Sequence, residues 1–259
     1  MADGLQVDRR GAVLVVTIDR QERMNALGSG IHGQLTATWA SAQADPSVRA
    51  IVITGAGERA FCTGMDLKDF AERGGPRPVK DDVHEELRLT PLHCDVWLPT
   101  IVAVNGVCTG AGLHFVADAD VVVASTTASF LDTHVSVGQV TALEPIDLLA
   151  RIGLGNALRL AVLGRGGRID AAEALRISLI DEVVDPDALL ERAVALAEIA
   201  AAGSPAAIEA SKRAIRGALE RPMRDALQHG WELLLAHREH PDSNEGPRAF
   251  AEKRDPTWE

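Results

Sequence analysis

The chain has 259 residues, of which 46% are hydrophobic and 24% charged, so it is long enough and apolar enough to fold around a substantial core. Its formal net charge of -11 argues against a nucleic-acid surface, because such surfaces must neutralise phosphates. Tyrosine is absent and aromatic residues make up only 3%, which removes the usual stacking platform for single strands. Composition therefore predicts a protein without a nucleic-acid partner.

Cysteine usage and the apolar runs indicate the compartment. Cys62, Cys94 and Cys108 are an odd number without CxxC spacing, which favours reduced thiols. The first residues, MADGLQVDRR, carry no apolar signal core, and every apolar run is interrupted well short of a membrane span. We therefore expect a cytoplasmic protein that has no membrane partner.

The first predicted elements alternate between strand and helix. Leu5–Arg9 pairs with Gly11–Ile18 in a predicted β-hairpin, and Ala50–Thr54 returns to a strand. Between them, apolar residues recur at the spacing of one helical face, at Ile31, Leu35, Trp39 and Ala42. Alternation at this pace predicts an α/β protein with a sheet and crossover helices.

Two stretches combine a buried strand, a glycine-containing turn and the start of a helix. The first runs from Arg49–Gly57 into Ala60–Lys68, and the second places the turn Gly106–Gly112 after the strand Thr100–Val104. Small residues let a backbone approach a ligand closely, and a helix start presents unpaired N–H groups to it. Two such turns could supply two donors to one developing negative charge. Close packing of glycines would give the same pattern.

The remaining elements are predicted as follows. Arg73–Lys80 is a loop, rich in glycine and proline, and a mixed helix over Asp82–Leu98 follows. Ala128–Asp132 is a short strand. Leu143–Ile152 is a helix whose first turn carries a carboxylate and a proline, where both fit well. The final part of the chain is almost wholly helical.

Five ordered blocks resemble the enoyl-CoA hydratase/isomerase (crotonase) superfamily. The two glycine-turn stretches, AFCTGMDLKDF and VNGVCTGAGLHFVADADVVVAS, look like its two signatures. The other three blocks are DRQERMNAL (Asp19–Leu27), GRIDAAEALRISLIDEVV (Gly167–Val184) and FAEKRDP (Phe250–Pro256). The resemblance implies a spiral of β-β-α units. Residues 1–195 would form the core with the acyl-CoA site, and residues 196–259 a helical oligomerisation region.

The resemblance also implies a site. The backbone N–H groups of Met65 and Ala111 would form an oxyanion hole for the thioester carbonyl, and fixed donors of this kind stabilise an enolate-like oxygen without reorganising. Coenzyme A, carried by the substrate, would be the only cofactor-like group. It would lie along positions that the resemblance assigns to CoA binding: Arg23, Ala26, Ala60, Cys62, Lys68 and Lys253. The resemblance further implies a homotrimer or a dimer of trimers.

The acid/base positions depart from the family pattern. Family hydratases carry two glutamates where this chain has His114 and His134. Imidazole can both accept and donate a proton near neutrality, because its ordinary pKa is about 6.5. Asp132 precedes His134 by two residues, so in a strand both would face one side. Glu144 could project into the acyl pocket or serve as a helix-start carboxylate.

These observations predict an enoyl-CoA hydratase-like lyase in which two histidines replace the usual glutamates. A C–C bond hydrolase of the same fold, acting on a cyclic diketone without CoA, is the main alternative. A non-catalytic acyl-CoA-binding oligomer is a third. No metal is expected, because the spacing of histidines and carboxylates matches no zinc signature.

Overall fold

The computed structural model describes residues 4–28, 30–72 and 79–259, and within them the strands form two sheets. The strands of the larger sheet are β1 (Leu5–Arg10), β2 (Val13–Ile18), β3 (Ala50–Gly55), β5 (Thr100–Val104), β7 (Val121–Ser125) and β10 (Glu182–Val184). They lie in the order β1-β2-β3-β5-β7-β10. β1 and β2 form the predicted antiparallel hairpin, and every other neighbouring pair in this sheet is parallel.

The smaller sheet consists of short strands, the first three of which each follow a strand of the larger one. Its strands are β4 (Ala60–Cys62), β6 (Val107–Thr109), β8 (Ser129–Leu131) and β9 (Ile169–Asp170), in the order β4-β6-β8-β9. β4, β6 and β8 are parallel, and β9 is antiparallel to β8.

The helices occupy the connections between these strands and the C-terminal part of the chain. Their bounds are α1 (Ile31–Ala44), α2 (Leu67–Glu72), α3 (Val83–Glu86), α4 (Gly112–Asp118), α5 (Leu143–Leu163), α6 (Ala171–Arg176), α7 (Leu189–Ala201), α8 (Pro205–Gly217), α9 (Met223–His237) and α10 (Asp242–Glu252). The chain therefore passes three times from the larger sheet to the smaller one and then to a helix, along β3-β4-α2, β5-β6-α4 and β7-β8-α5. This repetition confirms the predicted α/β spiral of β-β-α units.

The central strands β2, β3, β5 and β7 are buried on both faces, which explains why they are apolar almost throughout. Val16 and Ile18 of β2 face the main core, whereas Val13 and Val15 face α7. Because successive side chains of a strand point to opposite faces, one apolar strand serves both layers. The spiral is thereby fixed as a rigid frame for the turns that leave the strand ends.

Two local predictions were wrong. The predicted turn Gly106–Gly112 contains strand β6, because three of its residues pair with β4 and β8. The predicted helix Asp82–Leu98 is reduced to α3, Val83–Glu86, and a 3-10 turn at Leu92–Cys94. Pro91 begins that turn, and proline cannot continue a helix from the residues before it. The loop predicted over Arg73–Lys80 lies mostly outside the described residues.

The last three helices extend the chain beyond the spiral. Residue 195 lies inside α7, whose buried residues pack against the larger sheet, and α8 begins at Pro205. The division at residue 195 stays a prediction. Among the described residues, no single helix is long and apolar enough to cross a membrane, although the pair Pro186–Ala201 and Pro205–Glu220, joined at 103°, meets those criteria together.

Candidate active site

The first glycine-containing turn joins β4 to α2 and presents the backbone of Met65. Gly64 has a φ of +79°, a conformation that glycine adopts at little cost. The Leu27 N–H donates to the Gly64 carbonyl at 2.7 Å, and the Asp66 N–H donates to the Leu27 carbonyl at 3.1 Å. Because the neighbours of Met65 make the hydrogen bonds of this parallel bridge, the N–H of Met65 points away from Leu27.

The second turn packs directly against the first. Gly110 has a φ of +53° and precedes Ala111 at the start of α4. A Cβ on Gly64 would lie 3.1 Å from the Ala111 nitrogen and 3.3 Å from the Gly110 Cα, so the two backbones are too close for a side chain there. In the described part of the chain, the N–H groups of Met65 and Ala111 donate to no protein acceptor. Two unpaired donors thus lie on adjacent turns, where the oxyanion hole is predicted.

The buried residues predicted along CoA are held together by an asparagine. Asn25 is 1% exposed, and its Nδ2 donates to the carbonyls of Ala60 at 2.6 Å and Ala56 at 3.0 Å. Ala26 and Ala60 are themselves buried, so only their backbone is available to a ligand. Burial raises the pKa of the Cys62 thiol to about 12, which keeps it neutral. These positions can supply backbone contacts but no side-chain charge.

Two of the three predicted cations lie beside the first turn, and the third lies at the end of α10. Asp66 caps α2, accepting from the Lys68 N–H at 3.1 Å. The Lys68 side chain is exposed, and Arg23 Nη1 is 4.0 Å from Asp66 Oδ1, so both cations lie beside the first turn. Lys253 is exposed just after α10. No hydrogen bond or ion pair among the described residues connects it to either turn.

His134 lies in the turn after β8, and Asp132 of the same turn is its hydrogen-bond partner. Asp132 is 0% exposed, and its Oδ1 accepts from the His134 backbone N–H at 2.8 Å and lies 3.0 Å from Nδ1 of the same residue. Thr141 Oγ1 donates to the other carboxylate oxygen at 2.7 Å. The expected contact is present, but the expected reason was wrong, because β8 ends at Leu131 and the two residues share a turn, not a strand face.

The charges of this pair reinforce each other. The Asp132 hydrogen bond raises the pKa of His134 above its ordinary value, against the effect of burial, and the charges of Glu144 and Asp132 add to the rise. Burial alone would raise the pKa of Asp132, but hydrogen bonds from His134 and Thr141 outweigh it and lower that pKa. An imidazolium beside a carboxylate is therefore the favoured state.

His114 lies on α4 and pairs with a carboxylate from another helix. Its side chain is 2% exposed, and its Nδ1 is 2.5 Å from Asp147 Oδ2 on α5. Asp147 is a residue of the candidate site that the sequence analysis missed. It follows Glu144 by three residues, so both lie on the same face of α5, and this spacing was the available signal.

Glu144 lies between the two histidines. Its Oε1 is 3.8 Å from Nε2 of His114 and 3.8 Å from Nε2 of His134. Glu144 lies in the first turn of α5, which is the position of a helix-start carboxylate, and it also faces the two histidines. Both imidazoles therefore hold an aspartate at Nδ1 and direct Nε2 toward one shared carboxylate.

A third histidine packs behind His114. The ring of His93 meets that of His114 edge-on, with centroids 5.4 Å apart. His93 Nε2 lies 3.3 Å from Asp118 Oδ2 and 3.8 Å from Asp147 Oδ2. His93, Asp118 and Asp147 also line a cavity of about 750 Å³ between α5 and the C-terminal helices, together with Leu143.

Two groups of side chains have a donor set that could hold a cation. In each group the ligand atoms lie within 4.8 Å of one another, and the described residues concerned are His93, His114 and Asp147 in one and Asp132, His134 and Glu144 in the other. In both groups a short contact between Nδ1 and a carboxylate already joins a histidine to an aspartate. A hydrogen bond therefore holds one histidine–aspartate pair in each group.

Comparison with known proteins identifies the family. A family model described as enoyl-CoA hydratase/isomerase matches residues 8–259. The chain is 35% identical to an (E)-benzylidenesuccinyl-CoA hydratase from Thauera aromatica over 250 residues, covering 95% of both proteins. It is 34% identical to a carnitinyl-CoA dehydratase from Citrobacter koseri over 264 residues, covering 100% of this chain and 99% of that protein.

Solved structures agree with this assignment. An enoyl-CoA hydratase/isomerase from Mycobacterium paratuberculosis superposes with a TM-score of 0.91 at 35% identity, covering 100% of this chain and 99% of that one. An enoyl-CoA hydratase from Bacillus anthracis gives a TM-score of 0.88 at 28% identity, covering 99% of each chain. The chain with its two packed glycine turns therefore belongs to the enoyl-CoA hydratase/isomerase family, and its fold is the crotonase fold.

Proposed function

We propose that this protein is a lyase that adds water across the double bond of a 2-enoyl-CoA thioester. The observation that carries the proposal is the convergence of two imidazole Nε2 atoms on Glu144, next to two unpaired backbone donors. Two relatives bear the names of a hydratase and a dehydratase acting on CoA thioesters, which supports the same reaction class.

The thioester oxygen would bind between the two glycine turns. The N–H groups of Met65 and Ala111 would donate to it, and their hydrogen bonds would strengthen as the oxygen gains enolate charge. One such donor typically contributes about 2.7–4 kcal/mol to the transition state. The CoA moiety would lie along the backbone of Ala26 and Ala60, with Arg23, Lys68 and Lys253 near its phosphates.

The two histidines would divide the acid and base work. His114 would accept a proton from water through Nε2 as the hydroxide oxygen bonds to the β carbon, and the electrons of the double bond would move toward the thioester oxygen. The enolate would then take a proton at the α carbon from the His134 imidazolium. Asp132 favours that role by raising the pKa of His134 through its hydrogen bond.

Glu144 would reset the pair after each turnover. One cycle leaves His114 with an added proton and His134 without one, so a proton must return before the next substrate reacts. The Glu144 carboxylate is 3.8 Å from both Nε2 atoms and could pass the proton between them directly or through one water. Glu144 is thus given a catalytic role that complements the two histidines.

The proposal includes a homotrimer or a dimer of trimers in the cytoplasm. Large apolar side chains on α9 remain exposed, among them Leu227 at 67% and Trp231 at 50%, and exposed apolar faces commonly mark interfaces. Cys62, Cys94 and Cys108 are free thiols, which suits a reducing compartment. Sedimentation equilibrium checks the assembly: a monomer at micromolar concentration would contradict it.

Ligand titration and a turnover assay test the function together. Calorimetry should show binding of several acyl-CoA thioesters and none of a cyclic diketone, and the enzyme should hydrate crotonyl-CoA. Binding of the diketone alone would favour the C–C bond hydrolase, a chemistry that the two histidine–aspartate pairs also suit. Binding of acyl-CoA without any turnover of 2-enoyl-CoAs would favour the non-catalytic oligomer.

A backbone substitution tests the oxyanion hole. Ala111→Pro removes the N–H and should lower turnover by roughly 10²–10³, if circular dichroism shows that the fold survives. Ala111→Gly keeps the N–H and should lose far less. Equal turnover in the two variants would place the donor elsewhere.

A further inference from the structure

The His114 side chain has one dominant polar neighbour. Its ring is buried on α4, and Nδ1 lies 2.5 Å from Asp147 Oδ2, a distance typical of a strong, charge-assisted hydrogen bond. A carboxylate has only acceptors, so the proton of this bond belongs to Nδ1. In the neutral imidazole Nε2 is then left with a lone pair, which is the form that a general base requires.

The surroundings of Asp147 favour a fixed orientation. Asp147 lies on α5 one turn after Glu144, and the same helix packs against α4, which carries His114. The spacing directs one carboxylate to each end of the imidazole, with Asp147 at Nδ1 and Glu144 3.8 Å from Nε2. A half-turn of the His114 ring about its Cβ–Cγ bond would place carbon atoms where Nδ1 and Nε2 lie, and it would therefore lose the hydrogen bond to Asp147.

His93 packs against both His114 and Asp147. Its ring lies edge-on to His114, and its Nε2 is 3.3 Å from Asp118 and 3.8 Å from Asp147. Among the described residues its buried Nδ1 has no hydrogen-bond partner, which disfavours a second proton there. Burial lowers the pKa of His93, and the nearby His114 and His84 lower it further. The charges of Asp118 and Asp147 act in the opposite direction. If His93 is neutral, it does not compete with His114 as the ionic partner of the Asp147 carboxylate.

We propose that Asp147 is the positioning residue of His114, holding its ring so that an unprotonated Nε2 faces the substrate, with His93 as the neutral support behind both. This inference rests on the proposed hydratase function, in which His114 is the base. It assigns no direct contact between Asp147 and the substrate. It predicts that the charge and shape of Asp147 matter to the reaction through His114.

The first experiment combines kinetics with an NMR measurement of histidine tautomers. Asp147→Asn should lower kcat on crotonyl-CoA by roughly 10²–10⁴ and change KM by less than about threefold, because an amide can offer a donor to Nδ1 and so favour the opposite tautomer. Long-range ¹H–¹⁵N spectra should show the His114 signals change from the Nδ1–H form to the Nε2–H form. Asp147→Glu, which keeps an acceptor, should recover part of the lost kcat.

Asp118→Asn is the matched control. It removes the same charge from the same cluster, yet Asp118 has no hydrogen bond with His114, so the His114 tautomer should stay as in the wild type and kcat should fall much less. His93→Phe keeps the edge-on ring without its nitrogens and should reduce kcat by less than Asp147→Asn does. An equal loss of kcat and an unchanged tautomer in the Asp147 and Asp118 variants would overturn the proposal.

The tautomer measurement separates this inference from the proposed function. If wild-type protein hydrates no 2-enoyl-CoA but the His114 tautomer changes only in Asp147→Asn, the positioning role stands and the reaction is a different one. If wild type hydrates crotonyl-CoA and Asp147→Asn matches it in kcat while folded, the function stands and the positioning role fails.

Discussion

The two histidine–aspartate pairs of the site differ in how the chain builds them. Asp132 and His134 are two residues apart and share one turn, whereas His114 and Asp147 are 33 residues apart and meet only because α4 packs on α5. The side chain of His134 is 31% exposed, and that of His114 is 2% exposed. The Asp132–His134 pair therefore forms locally at the edge of the site, whereas the His114–Asp147 pair depends on tertiary packing inside it.

This difference suits the two roles that the mechanism requires. A general acid has to be recharged, and His134 is partly exposed beside an ionised aspartate that raises its pKa. A general base has to keep one lone pair aimed at a fixed point, and His114 is enclosed so that its ring has little freedom. The same residue type thus acquires two functions from two environments, as acid/base pairs generally do.

The largest expected effect is the loss of activity when either pair is broken. His114→Ala and His134→Ala should each lower turnover of crotonyl-CoA by about 10²–10⁴, the span for one general acid or base. Because the two act as a unit on one substrate, the double variant should lose little more than either single variant. Steady-state kinetics of the three proteins measure this.

Replacement by the family's usual residues is the matched control. The double variant His114→Glu with His134→Glu restores two carboxylates and should hydrate crotonyl-CoA better than the double alanine variant. Full activity in both single alanine variants would contradict the assignment and leave Glu144 as the next candidate.

The next effect concerns stability and should separate the two pairs. His114→Ala empties a buried site and should cost about 2–4 kcal/mol of unfolding free energy. His134→Ala should cost about 1 kcal/mol or less, because the ring is partly exposed and Asp132 keeps the donors from Thr141 and the backbone. Urea unfolding at one protein concentration gives both values. Equal costs would mean that the two environments are energetically alike.

The same contrast explains what the sequence could predict. The strands β3 and β5 follow from local patterns, because strand periodicity is visible in the chain. The two-residue spacing of Asp132 and His134 indicated that these residues lie close together, although they share a turn and not a strand face. Strand β6 was missed because Val107–Thr109 pairs only with strands far away in sequence. A three-residue strand has too little periodicity of its own to predict.

The candidate site, like the fold, was only partly predictable from the sequence. Backbone donors at Met65 and Ala111 could be placed from the glycine turns and the family resemblance. Asp147, His93 and Asp118 could not, because their relevance depends on the packing of α5 and the Leu92–Cys94 turn against α4. No local propensity encodes such a contact, although the three-residue spacing of Glu144 and Asp147 could have indicated a shared face.

A pH profile tests the local pair. Activity in wild type should fall at high pH as the His134 imidazolium loses its proton, with an apparent pKa above the ordinary value for histidine. Asp132→Asn removes the main cause of that rise, so the alkaline limb should move to lower pH by up to about one unit. Measurement of kcat between about pH 5 and 9 locates the limb. An alkaline limb that stays at the same pH in Asp132→Asn would mean that the titration of His134 does not cause it.

Thermal unfolding provides an independent reading of the same pair. The pKa of His134 is raised on folding, so its contribution to stability is present below its unfolded pKa of about 6.5 and is lost as pH rises through the folded pKa. The pKa of Asp132 is lowered, so its contribution is present above about pH 4 and is lost on acidification through the folded pKa. Asp132→Asn should therefore lose most stability, relative to wild type, between about pH 4 and 6.5.

The smallest expected effect comes from Thr141, which supports the local pair alone. Its hydroxyl donates to Asp132 Oδ2 at 2.7 Å, and Asp147 has no such hydroxyl donor among the described residues. Thr141→Val keeps the shape and removes that donor, so it should cost about 0.5–1.5 kcal/mol of unfolding free energy, the range for one lost hydrogen bond. Turnover should fall less than about threefold, because the bond from Asp132 to His134 Nδ1 remains. Thr141→Ser, which keeps the hydroxyl, should lose less stability than Thr141→Val. A fall in kcat as large as that of His134→Ala would show that Asp132 positions His134 only while Thr141 holds it.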